Sequence, residues 1–411
     1  MYDVYKIQEQ FPMIKNKTTM QGKPLVFLDN CSTTFKPYSV IEAMNKYYYE
    51  ETSNSHRGDY DLCYQMDVEV SKAREAVARF INADSNEVVF TSGDTMSLNL
   101  IAFGYGLKFL KKDDEILLSV SEHASNVLPW YKVSELTGAV IRMIPLDDEG
   151  RITLDNLKKT ITNKTRIVSL AHIGNVLGYE IDAKEFAKVA HEHGAIMILD
   201  GAQSVPHIKT DFKDLDVDFL TFSAHKMCGP TGIGALVGKY ELLDKMDTYF
   251  AGGGNNVTFF ENGCVEYLPA PAKFEAGTLN LAGIMGFKAA VEFIESIGID
   301  NIHQHELELH DYLISKLDGH DDIIIYNKKA HGSILCFNRK DVFSQDEATL
   351  LNSKGIAIRS GEHCAKMLKV FLGIHSTCRM STYLYTSKEN IDTFVDALLS
   401  GGDILDAYFS N

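Results

Sequence analysis

The densest chemistry in this 411-residue chain lies in residues 195–230, AIMILDGAQSVPH and then DFLTFSAHKMCGP. Asp200 ends an apolar run, and Gln203 follows three residues on. The next apolar run delivers Ser223, His225 and Lys226 within four consecutive positions. In open α/β sheets, ligands bind outside the carboxyl ends of the strands. A lysine there can form an imine once its amine is deprotonated, which desolvation and neighbouring positive charge promote. A carboxylate at an adjacent strand end can keep a pyridine nitrogen protonated, so that the ring accepts electrons. Ser and His beside the lysine suit a phosphate. The spacing alone is equally that of polar residues on a solvated sheet rim.

These residues need a sheet to hold them. Short apolar segments alternate with helical ones from about residue 25 to 240: LVFLD, EVVFT, EILLSV, AVIRMIPL, RIVSLAHI, AIMILD and DFLTFSA. Between them, Met66, Val70, Ala73, Val77, Phe80 and Ile81 recur at spacings of three and four, one face of a helix. Asp182 reads as an N-cap and Gly194 as a C-terminal stop for another. Strands alternating with helices predict an α/β fold with a mostly parallel sheet covered on both faces. The pattern changes after the glycines of AGTLNLAGIMG. A long helical stretch, FKAAVEFIESIGIDNIHQHELELHDYLISKL, then precedes short strands such as GSILCFN and GIAIRS. The expected division is a large domain of residues 22–288 and a smaller α+β domain built from 1–21 and 289–411.

Other signatures are missing: no P-loop, no H-E-x-x-H and no G-x-S-x-G. GPTGIGALVG is glycine-rich but has the wrong spacing for a dinucleotide fingerprint. The histidines of HEH and HQHELELH read as solvated surface residues rather than metal ligands, so no metal site is expected. A formal charge of −16 argues against a nucleic-acid partner, which needs a basic surface. Seven cysteines without a C-x-x-C argue against a disulfide framework or a zinc site. No apolar run approaches the ~20 residues a membrane helix needs, and the polar N-terminus does not read as a signal peptide. A cytoplasmic protein with no membrane partner is expected.

Blocks spread over nearly the whole chain resemble the class V aminotransferase family of pyridoxal-phosphate (PLP) enzymes, and within it the SUF-type (group II) cysteine desulfurases. They are LDNCSTTFKP, SHRGDYDLCYQ, VVFTSGDTMSLNL, SEHASNVLPW, AHIGNVLG, LDGAQSVPH, TFSAHKMCGPTGIG, FEAGTLN, AIRSGEHCA and CRMS. The resemblance implies the PLP fold type I, aspartate aminotransferase-like, with a mixed, mostly parallel seven-stranded sheet in the large domain. It implies pyridoxal 5'-phosphate carried by Lys226, with Asp200 at the ring nitrogen, Gln203 at the ring oxygen and His123 stacked on the ring. Thr95, Ser223 and His225 would bind the phosphate, and a helix N-terminus at Thr95 suits an anion independently. Thr278 would reach the phosphate in the other subunit of a homodimer. Asn175 and Arg379 would hold the substrate carboxylate, with Arg359 lining the same pocket.

By the same resemblance, Cys364 would take the sulfur of L-cysteine as a persulfide, release L-alanine and pass sulfur to an acceptor protein for iron–sulfur cluster assembly. Arg359 and His363 precede it, and a cation close in space favours a thiolate. The alternatives within the family are a selenocysteine lyase, acting on L-selenocysteine, and a cysteine sulfinate desulfinase. The sequence departs from the group at Glu362, where a histidine is usual, and in CAKMLKV, which lacks a common proline. Glu362 is expected to oppose a thiolate unless it points away. MSTYLYTS and DVFSQDEAT depart too. The remaining cysteines are expected to pack, with Cys228 near the pocket.

Overall fold

The computed structural model describes residues 2–55 and 58–402. His56 and Arg57 of the SHRGDYDLCYQ block, and residues 403–411 of the expected small domain, lie outside the described residues.

Seven strands form the central sheet: β1 (Val88–Thr91), β2 (Glu115–Ser119), β3 (Val140–Ile144), β4 (Thr165–Ala171), β5 (Ile196–Asp200), β6 (Phe219–Ser223) and β7 (Gly234–Gly238). Their order is β1-β7-β6-β5-β4-β2-β3. All neighbours are parallel except at β7, which runs antiparallel to both β1 and β6. Strands buried on both faces read as unbroken apolar runs, and β1, β6 and β7 are buried throughout.

Six of the seven segments expected as strands fall in this sheet. The first does not, because Val26–Phe27 pairs in parallel with Ile356–Ala357 instead. The seventh sheet strand lies in the glycine-rich GPTGIGALVG. Gly234 is there for space: a Cβ would meet Phe222 O at 2.5 Å and Gly93 Cα at 2.7 Å. The missing side chain lets the turn after β1 settle against β7.

Helices cover the sheet as the periodicity predicts. In Asp61–Phe80, Met66, Val70, Ala73 and Val77 are buried in the main core. Asp182 caps Ala183–Glu192 by accepting from Glu185 N at 3.2 Å, and Gly194 leaves the helix at φ 72°. The long helical stretch is two helices, Leu281–Ile297 and Ile299–Leu317, broken at Gly298 with φ 91°. Within it His310 is buried and His305 stacks on Tyr2, so HQHELELH is not the solvated surface expected.

A second sheet contains β8 (Ile323–Ile325), β9 (Ile334–Arg339), β10 (Arg359–Gly361) and β11 (Thr377–Ser381), ordered β8-β9-β11-β10 and antiparallel throughout. Its core gathers Leu309, Leu313, Leu351, Ile391 and Phe394, joined by Val26 and Leu28. Asp29 bridges to Ser381 directly after that N-terminal strand. Residues 29–32 are thereby held where the two sheets meet. Among the described residues, no helix is long and apolar enough to cross a membrane, and no group of three or more His, Cys, Asp or Glu is placed to hold a metal ion.

Candidate active site

The carboxyl ends of β5 and β6 face residues from the second sheet across a cavity of about 740 Å³, its open mouth included. Parallel pairing sets Asp200, the last residue of β5, beside Thr221 of β6. Three residues beyond β6, Lys226 closes the short turn Ala224–Lys226. Asp200 is buried and accepts from Ala202 N at 3.0 Å. Among the described residues Lys226 Nζ has no hydrogen-bond partner, as suits an amine reserved for a covalent bond. Gln203 commits one Nε2 hydrogen to Cys31 O at 2.9 Å.

At one end of the cavity begins the helix Asp94–Ile101. Its first amide, Asp94 N, donates to Ser223 Oγ at 2.7 Å, and Thr95 Oγ1 lies 2.7 Å from Ser125 Oγ. His225 Nδ1 is 3.2 Å from Thr33 Oγ1. Burial, then the charges of Lys226 and Lys36, push the His225 imidazole down to about 4, so it is neutral at pH 7. Two hydroxyls, a neutral ring and free helix amides together suit an anion of phosphate size.

His123 follows β2 and opens the turn Ala124–Asn126, its Nδ1 accepting from Ser125 N at 3.2 Å. Burial lowers its pKa, so the ring stays neutral with its proton on Nε2. Beneath it, Glu122 Oε2 accepts from Asn126 Nδ2 at 2.8 Å and from Ala171 N at 2.9 Å. Burial pushes this carboxyl up to about 8.

The opposite wall carries guanidinium groups. Arg379, from the middle of β11, is 2% exposed. It donates to Asn175 O at 2.8 Å, Asp29 Oδ1 at 3.1 Å and Ser32 Oγ at 3.0 Å, while its Nε has no partner. Arg359 Nη1 also reaches Ser32 Oγ, at 3.1 Å. Two cations converging on one hydroxyl form a fork for a carboxylate.

Arg359 Nη2 lies 3.6 Å from Cys364 Sγ. Cys364 is exposed, and its loop is pinned twice: Ala124 N donates to Cys364 O at 2.8 Å, and Asn175 Nδ2 to His363 O at 2.8 Å. His363 and Cys364 both sit in the left-handed region, at φ 51° and 58°. The expected help from His363 is absent. Its ring is buried against Thr377 Oγ1 at 2.9 Å, and burial with the nearby arginines pushes it down to about 3. Arg359 is the cation at the thiol. Glu362 is drawn off by Lys369 and, at 3.9 Å, by Lys366, which answers the concern its position raised.

Thr95, His123, Asn175, Asp200, Gln203, Ser223, His225, Lys226, Arg359 and Arg379 therefore line one cavity. Cys364 meets it through Arg359. Thr278 does not: it is exposed and away from this chain's own cavity. Of the other cysteines, Cys31 lines the cavity, whereas Cys228 is buried outside its lining. Sequence reasoning missed Asp29 and Ser32, which hold the arginines, and the buried acids Asp94 and Glu122. Only the LDNCSTT block around Asp29 and Ser32 carried a signal.

The donor set fits pyridoxal 5'-phosphate. An unpartnered amine, a buried carboxylate at the next strand end, a neutral imidazole and a helix-start anion cradle match its aldehyde, ring nitrogen, ring face and phosphate.

Comparison with known proteins agrees with this geometry. The family model described as aminotransferase class-V matches residues 26–394. The chain is 42% identical over 397 residues to a probable cysteine desulfurase of Halalkalibacterium halodurans, covering 96% of this chain and 97% of that one. It is 40% identical over 412 residues to a cysteine desulfurase of Haloferax volcanii, covering 96% of each. Among solved structures, the cysteine desulfurase CsdA of Escherichia coli, in its S-sulfonic acid form, superposes with a TM-score of 0.90 at 34% identity, over 99% of both chains. The apo cysteine desulfurase of Thermococcus onnurineus gives 0.91 at 33%, over 96% of this chain and 97% of that one.

Proposed function

This chain belongs to the class-V aminotransferase family, and on that premise we propose that it is a PLP-dependent cysteine desulfurase that leaves the sulfur of L-cysteine on Cys364 as a persulfide and releases L-alanine. The observation that carries this reading is the Cys364 loop, exposed yet tied to the cavity wall, with Arg359 3.6 Å from the sulfur.

Bound PLP supplies an electron sink conjugated to the substrate α-carbon. The chain's residues do the rest. Arg379 and Arg359 clamp the substrate carboxylate, with Asn175 buttressing Arg379 through its carbonyl. Lys226 Nζ takes the proton from Cα, and Asp200 holds the proton at the ring nitrogen. His123 covers the ring face and, through Nε2, handles the substrate thiol proton. The Cys364 thiolate then forms an S–S bond to the substrate sulfur. The Cβ–S bond breaks, its electron pair stays on the carbon skeleton, and protonation gives alanine. Thr95, Ser223 and His225 anchor the phosphate, and Gln203 donates to the ring oxygen.

The same reading divides the chain into a large domain of 22–288 and a small one of 1–21 with 289–411, in keeping with the two separate sheets. It also makes the protein a cytoplasmic homodimer that hands sulfur to an acceptor protein for iron–sulfur assembly. Exposed apolar residues support the dimer: Tyr48, Tyr49, Leu62, Tyr64, Tyr249, Phe250 and, on the hairpin 256–267, Val257 and Phe259. Buried between subunits, this surface would bring Thr278 to the partner's phosphate.

One turnover with L-cysteine and no reductant tests the reading, with alanine quantified and added sulfur mapped by peptide mass spectrometry. Alanine matched by one sulfur on Cys364, both lost in Cys364→Ala, is the expected result. Alanine with no sulfur on Cys364, or an undiminished variant, overturns it in favour of selenocysteine or cysteine sulfinate as substrate.

A further inference from the structure

The cofactor site holds one acid more than the reaction uses. Asp94 opens the helix that carries Thr95, is buried, and lines the same cavity as Asp200 and Ser223. Its amide is spent on Ser223 Oγ at 2.7 Å, while its Oδ1 is buried with no hydrogen-bond partner. Charging a buried carboxylate with one oxygen unpartnered is costly, and two ionised carboxylates sharing one site are costlier.

The surrounding elements compensate only in part. Of the groups facing Asp94, Asp200 at the end of β5 carries like charge, while the Thr221 hydroxyl of β6 and, after it, Lys226 favour the charged form. His123, at the head of the turn packed on this helix, and His225 are neutral at pH 7. β1, β7 and the rest of the Asp94–Ile101 helix contain no ionisable side chain.

We propose that Asp94 is a positioning residue that sets cofactor affinity: as a neutral acid it leaves Asp200 the single carboxylate of the pair and keeps negative charge away from the phosphate cradle. Ionised, it places a carboxylate one residue from Thr95, against the phosphate that Thr95, Ser223 and the helix amides gather. Burial first, and Asp200 second, push its carboxyl up to about 7, so the neutral form survives to neutral pH and is lost above it. Cofactor retention is thereby coupled to pH through a residue to which the proposed reaction gives no step. This inference rests on the PLP reading above and adds to it a charge requirement.

The test titrates apoenzyme with pyridoxal 5'-phosphate by equilibrium dialysis and visible absorbance, from about pH 6 to about pH 9, for wild type and Asp94→Asn. Taking the ratio of the two dissociation constants at each pH cancels the titration of the phosphate, which both proteins share, and isolates the charge of Asp94 together with its coupling to Lys226. The expected ratio, wild type over variant, is flat below about pH 7 and climbs toward tenfold per pH unit above it, reaching at least ~10-fold by about pH 9. Asp94→Ser repeats the measurement with a second uncharged helix-start residue, so a folding failure of one variant does not decide the result. A ratio that is flat or falls with pH overturns the role of Asp94 while leaving the cofactor reading standing. If wild type and variants alike take up no PLP, both fall.

Discussion

Glu275 allows the sharpest quantitative prediction. Its carboxylate accepts from Arg74 Nη1 at 2.6 Å and Nη2 at 2.8 Å, and from Phe90 N at 2.8 Å. The side chains are 13% and 6% exposed, so water screens the pair little. The segment Ala276-Gly277-Thr278 leaves directly from this anchor. Glu275→Gln removes the charge but keeps an acceptor, stranding the Arg74 guanidinium with Val88 O at 2.7 Å and the face of Phe90. Stranding one partner of a buried pair costs about 3–5 kcal/mol, and the surviving contacts of Arg74 place this case near ~3. That shifts the unfolding equilibrium by about 10²-fold.

Urea unfolding at fixed PLP concentration measures it, since ligand held by the folded state otherwise moves the midpoint. Arg74→Met should cost a similar amount, because it leaves Glu275 buried with Phe90 N as its main donor. The double variant should recover to within about 1 kcal/mol of wild type, since replacing a whole buried pair is often nearly neutral. Single variants within about 1 kcal/mol of wild type, or costs that simply add in the double, would refute the reasoning.

The His191–Asp218 contact at 2.8 Å raises the His191 pKa, chiefly through that hydrogen bond. Its stabilisation is full below the unfolded value of about 6.5 and fades as pH rises through the folded one, so the melting-temperature gap between wild type and His191→Gln should shrink from acid to alkaline pH. Iodoacetamide on the native protein should modify Cys364 and spare Cys31, Cys63, Cys228, Cys336 and Cys378, all buried; labelling of Cys228, which burial pushes up to about 12, would contradict its placement. Gly234→Ala should weaken PLP binding as well as stability, because the new Cβ must displace Gly93 and with it the start of the Asp94–Ile101 helix; unchanged PLP affinity in a folded variant would show that the cradle does not depend on that close approach.

The strands were legible where burial on both faces leaves an unbroken apolar run, as in AIMILD and DFLTFSA. β7 was not, because Gly234, set by a close backbone approach, and Gly238, packed against the Phe219 ring, break up its apolar pattern. Val26–Phe27 looked like any other strand, since a strand's sequence records its burial and not its neighbour. Asp200 and Lys226 could be read from position, at and just beyond the carboxyl ends of two neighbouring strands. Arg379, Asn175 and Cys364 could be read only by resemblance, because their convergence depends on where a second sheet docks. Asp94 and Glu122 were invisible: an acid at a helix start or before a turn normally means a solvated surface, and only the packed fold shows these two enclosed.

The bridge from Asp29 to Ser381 and the bond from Asp29 to Arg379 span 350 residues or more of chain. On the ribosome, Asp29 emerges well before its partner and waits while the intervening chain, 350 residues to Arg379, is made. The β-sheet scaffold with Lys226 can be translated in full while the carboxylate fork does not yet exist. A chain halted before residue 377 therefore has Lys226 and Arg359 but no β11, and lacks Arg379, the second guanidinium of the fork. Long-range closure of this kind is slow to form, and here it brings the two ends of the contact together only once β11 has been made.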